Sequence, residues 1–306
     1  MSSSVQVLLS TYNGERYIKQ QLDSIIKQSY TNIEILIRDD GSTDDTINEI
    51  QSFMESFPNR IRLIQGENVG VVRSFMELIQ ASYDCFDYFC FCDQDDIWLT
   101  DKVQRAVDSL SGRGLPAMFF TATQMVDSNL NELNIWPALP QQSPGFNNAL
   151  IQNIAVGATI TFNKKARNLL AQSEVETDAI LMHDWWAYLC ISAFGDVRYE
   201  AEPSILYRQH ENNVVGGNAS KWELILKKWA SFRKHSGKRL LVRQAREFSR
   251  HYAHLLEPSK REQLEWFIEP RLDWIQRYRF LKKCRLYRQS WLEQRLFQFL
   301  IMIGYI

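Results

Sequence analysis

The sequence predicts an α/β fold: a mostly parallel sheet with helices on both faces, followed by a basic helical extension. Three observations carry this prediction. Short apolar runs alternate with segments of helical period through the first 170 residues or so, and the runs end repeatedly on turns rich in Asp, Ser, Thr and Gly. After residue 220 the composition changes to Lys, Arg, Trp and Leu at helical spacing. A length of 306 residues allows roughly two domains, or one large one with an appendage. The boundary is expected near residue 220, with 1–220 as the main body and 221–306 as a tail.

Val5 to Leu9 is a compact apolar strand that ends at Ser10-Thr11-Tyr12-Asn13-Gly14. From Glu15 to Gln28, Tyr17, Ile18, Leu22, Ile25 and Ile26 recur at helical spacing. Ile33 to Ile37 is a second strand, ending on Arg38-Asp39-Asp40-Gly41-Ser42-Thr43-Asp44, whose glycine supplies a turn and whose polar residues can cap the helix that runs toward Phe57. Pro58 stops that helix, Ile61 to Ile64 forms a third strand, and Asn68-Val69-Gly70 opens a helix through Gln80. Tyr88 to Cys92 is a strand, a helix runs to Leu110, and Ala117 to Thr123 is another strand. The Pro- and Asn-rich stretch Asn129 to Asn148 is expected to be a loop over the site. Gly157 to Phe162, Lys164 to Gln172 and the segment opening at Met182 follow as strand, helix and helix. Strand ends in such a sheet gather on one edge, so the polar turns should form one site.

The densest chemistry lies where Phe89-Cys90-Phe91-Cys92 stops on Asp93-Gln94-Asp95-Asp96. Asp93 and Asp95 are two residues apart, so in an extended segment both side chains reach the same side. Clustered carboxylates repel unless a cation lies between them, and oxygen ligands suit Mg2+ or Mn2+ shared with substrate phosphates and water. The plainer reading is a solvated acidic turn. Neither a dinucleotide fingerprint nor a P-loop follows the first two strands. Asp39 could instead accept the imide N–H of a pyrimidine base and the ribose hydroxyls, with backbone near Thr11 placing the base; ordinary turn chemistry is its plainer role.

Charge is distributed unevenly. Residues 1–220 hold 15 Lys+Arg against 28 Asp+Glu, and residues 221–306 hold 20 against 8. This pattern suggests an acidic body and a basic attachment face. Five cysteines without paired spacing indicate reduced core residues, with no disulfide frame or zinc site. No signal peptide is evident at Met1-Ser2-Ser3-Ser4, and no run reaches the ~18 apolar residues of a bilayer span. A soluble or peripheral cytoplasmic protein is expected.

The segments Val7-Leu8-Leu9-Ser10-Thr11-Tyr12-Asn13-Gly14, Asp39-Asp40-Gly41-Ser42-Thr43-Asp44, Asn68-Val69-Gly70 and Asp93-Gln94-Asp95-Asp96-Ile97-Trp98 stand in the order found in family-2 glycosyltransferases of the GT-A fold, which the chain resembles. His183-Asp184-Trp185-Trp186 and Tyr207-Arg208-Gln209-His210 resemble the rhamnosyltransferase-like branch that builds bacterial surface polysaccharides. The resemblance covers about residues 5–217 and implies a nucleotide site at Thr11, Tyr12, Asp39 and Asp93, with Arg73 a candidate for the diphosphate. It implies a metal at Asp93 and Asp95, with His210 nearby, and a general base at Asp184. Asp96 would orient the donor sugar, and Trp98, Trp185 and Trp186 would line the sugar or acceptor subsite. Asp184 could instead cap a helix, His210 could be structural, and the two indoles could be core.

The implied reaction is a metal-dependent, inverting transfer from a nucleotide-sugar donor to a lipid-linked glycan acceptor in O-antigen or capsule synthesis. A dTDP-rhamnose donor comes first and a UDP-hexose second. The tail holds Trp222, Trp229, Trp266, Trp274 and Trp291 among cations, with a basic cluster at Arg277, Arg279, Lys282, Lys283, Arg285 and Arg288. Such a composition fits a helix at an anionic membrane surface; docking on the acidic body or a homodimer interface are the alternatives. A nucleic-acid- or membrane-binding interaction protein using this tail is the rival of another class, but no nucleic-acid module is recognisable and no nucleic acid is expected. A haloacid-dehalogenase-type phosphatase would need an Asp nucleophile on the first strand, where Ser-Thr-Tyr stands.

Overall fold

The computed structural model describes residues 3–172, 174–209 and 240–306. His210, Trp222, Trp229 and the boundary expected near residue 220 lie outside the described residues.

Seven strands form the main sheet: β1 (Val5–Thr11), β2 (Ile33–Asp39), β3 (Ile61–Gln65), β4 (Tyr88–Cys92), β6 (Ala117–Thr121), β9 (Thr161–Asn163) and β10 (Asp196–Glu200). Their order is β10-β6-β9-β4-β1-β2-β3. β1 pairs in parallel with both β2 and β4, β2 with β3 and β6 with β10; β9 alone runs antiparallel, between β4 and β6. The continuous apolar runs of β1, β2 and β4 follow from burial on both faces. Leu8, Leu36, Phe89 and Phe91 enter one core, and Val7, Leu9, Ile35, Ile37, Cys90 and Cys92 the other, as alternation along a strand requires.

Helices α1 (Ile18–Ile26), α2 (Thr46–Ser56) and α4 (Lys102–Leu110) cover the second face through Leu22, Ile50, Phe53, Val103 and Ala106. The first face is covered by α3 (Val71–Ala81), α6 (Lys164–Ala171) and α7 (His183–Phe194), joined by the short α5 (Phe146–Ala149). A smaller sheet, β5-β11-β7-β8, is built from β5 (Ile97–Trp98), β7 (Thr123–Val126), β8 (Glu132–Trp136) and β11 (Ile205–Arg208). The stretch 129–148, expected to be a loop, thus contains β8 and α5. The strand escapes the pattern because it is a largely exposed edge paired only with β7, so its side chains need no apolar run.

Four further helices follow: α8 (Leu240–Tyr252), α9 (Pro258–Ile268), α10 (Trp274–Lys283) and α11 (Trp291–Met302). They share a core with the sheet. Val242, Phe248, Leu264, Phe267, Phe280, Phe297 and Ile301 belong to one continuous apolar cluster with Phe91, Phe146 and Trp186. No helix among the described residues is long and apolar enough to cross a membrane.

Candidate active site

Strands β1, β2 and β4 end side by side, and the turns that follow them border a cavity of about 540 Å³. Its rim and floor include Thr11, Tyr12, Asp93, Asp95, His183 and Asp184. Five residues expected from the sequence to carry the chemistry (Thr11, Tyr12, Asp93, Asp95 and Asp184) therefore border one space.

Gln94 ties two of these turns together. Its Oε1 accepts from Thr11 Oγ1 at 2.7 Å and from the Tyr12 N–H at 2.8 Å, while its Nε2 donates to the Tyr12 carbonyl at 3.1 Å. Gly14 is required by this arrangement, because a Cβ there would lie 2.5 Å from Gln94 Oε1. The sequence displayed Gln94 between the acids, but nothing in its type marked it as the clasp.

Asp39 is folded into its own turn. Its Oδ1 accepts from the N–H groups of Gly41 at 3.1 Å and Ser42 at 2.9 Å, and its Oδ2 from Ser42 Oγ. Asp40, not Asp39, borders the cavity. Its carboxylate accepts from the N–H groups of Val69 and Gly70, both at 2.9 Å, and from the Arg38 guanidinium. The loop before α3 is thereby pinned to the end of β2.

The Asp93 carboxyl is pushed up to about 7 by desolvation and by the negative charges of Asp95 and Asp184. Desolvation likewise raises Asp184 to about 6, against the opposing effect of hydrogen bonds from the N–H groups of Trp185 and Gly157 and from the Asn153 side chain. The two backbone bonds measure 2.6 and 3.2 Å. Asp184 sits in the first turn of α7, where its ionised form also faces the positive end of the helix. Gly157 leaves room at this point: a Cβ would stand 3.0 Å from His183 Nε2 and 3.4 Å from Asp184 Cβ. His183 stacks on Phe75 with ring centroids 3.7 Å apart and meets Phe91 edge-on at 5.0 Å. That apolar slot lowers it to about 3 and keeps it neutral.

The approach to α7 is braced by α8. The Leu181 N–H donates to Gln244 Oε1 at 2.9 Å, and the Glu176 N–H to Glu247 Oε1 at 2.8 Å. The basic segment, for which docking on the acidic body was one of the alternatives, thus holds the stretch of chain that delivers Asp184.

Four expected contacts give way to other roles. Asp96 is buried away from the cavity, where its Oδ1 accepts from the Arg208 N–H at 3.3 Å; burial and the neighbouring Asp95 and Asp93 push its carboxyl well up. Trp98 is buried beneath the site, with Lys102 Nζ 4.2 Å from its ring centroid. Trp186 is fully buried against Phe248 and Tyr252 and forms no sugar wall. Trp185 donates its Nε1–H to the Ala149 carbonyl at 2.6 Å and does not border the cavity. Each departs for one reason: the neighbouring elements claimed the side chain. Arg73 similarly points along α3 to Glu77, 3.0 Å away, outside the cavity.

Residues given no site role in the sequence complete the walls. Trp136, Pro137 and Asn153 line one side, and Tyr207 stands close enough to Asp96, Asp93, Asp95 and Asp184 for their charges, after burial, to raise its phenol. The aromatic types were visible in the sequence; their convergence depends on β8 and β11, which were not.

Residues 6–166 match the sequence profile of "Glycosyl transferase family 2". The chain is similar to "dTDP-rhamnosyl transferase RfbG" of Shigella flexneri, 33% identical over 226 residues that cover 69% of this chain and 75% of that protein. It is also similar to "UDP-Glc:alpha-D-GlcNAc-diphosphoundecaprenol beta-1,3-glucosyltransferase WfgD" of Escherichia coli, 26% identical over 164 residues, 54% of this chain and 55% of that one. The fold matches crystalline TarS 1-349 of S. aureus with a TM-score of 0.59 at 13% identity, covering 98% of this chain and 79% of that chain; TarS has also been solved with UDP and with UDP-GlcNAc. The extent of the profile match and the RfbG similarity, over the strand-end cavity just described, place the chain in glycosyl transferase family 2.

Proposed function

We propose that this glycosyltransferase moves L-rhamnose from a dTDP-linked donor onto a lipid-linked oligosaccharide in surface-polysaccharide synthesis, with inversion and with Mg2+ or Mn2+ bound at Asp93 and Asp95. One observation carries the reading: Asp184, Asp93 and Asp95 border a single cavity of a size that suits a nucleotide sugar.

The donor set fits a hard cation. Asp93 and Asp95 offer oxygen ligands, and the charges that perturb Asp93 are all negative. Among the described residues no three carboxylate, imidazole or thiolate groups converge closely enough to hold an ion unaided, so substrate phosphates and water would complete its shell. Bound there, the ion would neutralise charge developing on the departing nucleoside diphosphate.

The chain's own groups supply the rest. Asp184 would accept the proton of the acceptor hydroxyl as that oxygen bonds to the anomeric carbon and the carbon–phosphate oxygen bond breaks on the opposite side. The Trp185 and Gly157 N–H groups hold the carboxylate in place. Thr11 and Tyr12, locked by Gln94, would seat the nucleotide. Neutral His183 would keep positive charge away from the base. The name of RfbG supports a dTDP-rhamnose donor, and that of WfgD supports a lipid-diphosphate acceptor. A UDP-hexose donor is the second reading, favoured by WfgD and by TarS bound to UDP-GlcNAc.

Calorimetric titration of dTDP, UDP and their sugar conjugates, with and without Mn2+, tests this in wild type and Asp95→Ala. Metal-dependent binding that Asp95→Ala abolishes is expected, with the tightest conjugate naming the sugar. Absence of nucleotide binding under every metal condition overturns the reading.

A further inference from the structure

Helices α10 and α11 have two apolar sides each, and the transfer reaction uses neither. In α11, Phe297 and Ile301 point into the core, while Leu292 is 64% exposed, Phe299 58%, and Leu296 and Ile303 about half. At about 100° per residue these four fall within roughly 60° of arc, about 150° from the buried pair. In α10, Phe280 points inward, and Trp274, Ile275 and Tyr278 are exposed on the far side together with Arg279 and Lys282. An amphipathic helix facing water alone has no use for the second apolar side.

The cations divide by role. Arg277 donates to the Arg271, Leu272 and Met302 carbonyls, and Arg288 lies over the Phe297 ring at 5.9 Å, so these two are structural. Arg279, Lys282, Lys283, Arg285 and Arg295 are exposed. Lys282 lies 5.5 Å from the Tyr278 ring centroid and Arg295 5.5 Å from that of Trp291, itself 68% exposed. Residues 271–306 hold eight Lys and Arg against two Asp and Glu. Two such faces meeting in a dimer would oppose like charges. Indoles and aliphatic side chains set among cations match the headgroup layer of an anionic bilayer.

We propose that the outward face of α10 and α11 docks on an anionic lipid surface, with Trp274, Trp291 and Phe299 entering the headgroup layer and Arg279, Lys282, Lys283, Arg285 and Arg295 facing lipid phosphate. The docking extends the lipid-linked acceptor reading, since it would bring the cavity to a membrane-held substrate. It is read without nucleotide or acceptor, so its failure leaves the donor chemistry standing.

The test is co-sedimentation of the full chain with vesicles of phosphatidylcholine, alone or mixed with phosphatidylglycerol, alongside sedimentation velocity of the chain by itself. Binding to the mixed vesicles with a blue shift of tryptophan emission is expected, weakening with salt. Lys282→Glu with Lys283→Glu should weaken binding on the order of tenfold or more, and Trp291→Ser with Phe299→Ser should abolish it. All four side chains are exposed, so both variants should melt as wild type does, and both should bind nucleotide normally. Equal binding to the two vesicle compositions overturns the proposal. So does a failure of wild type to bind, or a dimer that Trp291→Ser with Phe299→Ser dissociates.

Discussion

The Asp184 carboxyl is displaced toward neutrality, to about 6, because burial penalises its charge more than its hydrogen bonds favour it. A base must be ionised to accept a proton, so kcat/KM is expected to rise with pH through about 6 and to level above it. Asp184→Asn should lower kcat on the order of 10²–10⁴-fold while nucleotide binding persists, and that acid limb should vanish from its residual rate. A variant with normal turnover would remove the residue from the chemistry. At this scale the sequence displayed the acids but not the backbone that presents them. Asp93 and Asp95 both border the cavity, yet the chain bends at Gln94 and Asp95, and Gln94 borders the cavity too, so strand alternation is not what brings the two acids there. Asp96, one residue on, turns into the body and meets the Arg208 N–H. Trp186 was illegible for a tertiary reason, since nothing in His-Asp-Trp-Trp shows which indole another helix will cover.

Between β2 and α3, Asp40 joins two elements through a single carboxylate. Its removal takes from buried Arg38 one of its two carboxylate partners, leaving Glu77, Ser74 and a carbonyl, and takes from the Val69 and Gly70 N–H groups their acceptor. Asp40→Ala is therefore expected to cost about 1–3 kcal/mol of stability in urea unfolding, the usual result of leaving buried donors unsatisfied. Asp40→Asn, which keeps an acceptor for Val69 or Gly70, should cost less; equal losses would mean that the retained hydrogen bond contributes little. The central strands β1, β2 and β4 were readable because burial on both faces forces an unbroken apolar run. The two-residue β5 and the exposed β8 obey no such constraint. They pair because β11 and β7 offer them edges, a fact of tertiary structure.

Across the whole molecule, the four C-terminal helices complete a core begun by the sheet. Phe248 meets Phe146, Trp186 and Phe194 with ring centroids 5.8, 6.2 and 6.4 Å apart. Phe248→Ala should thus destabilise the molecule by about 3–5 kcal/mol, with circular dichroism and tryptophan fluorescence reporting one shared transition; two separate transitions would make the helices an independent unit. Composition announced the change after residue 220, and opposite charges hinted at attraction, but among the described residues one exposed pair follows that hint in α8, Arg250 with Glu176 at 2.7 Å. The attachment is mainly apolar, and periodicity alone does not say which surface an apolar stripe will meet. The shared core also orders events in time. Trp186 precedes Phe248 by about 60 residues, which at ~5–20 residues per second means several seconds of translation during which the indole lacks the cover that Phe248 and Tyr252 provide. In that interval the nascent chain presents its half-built interior to chaperones and to other polysomes.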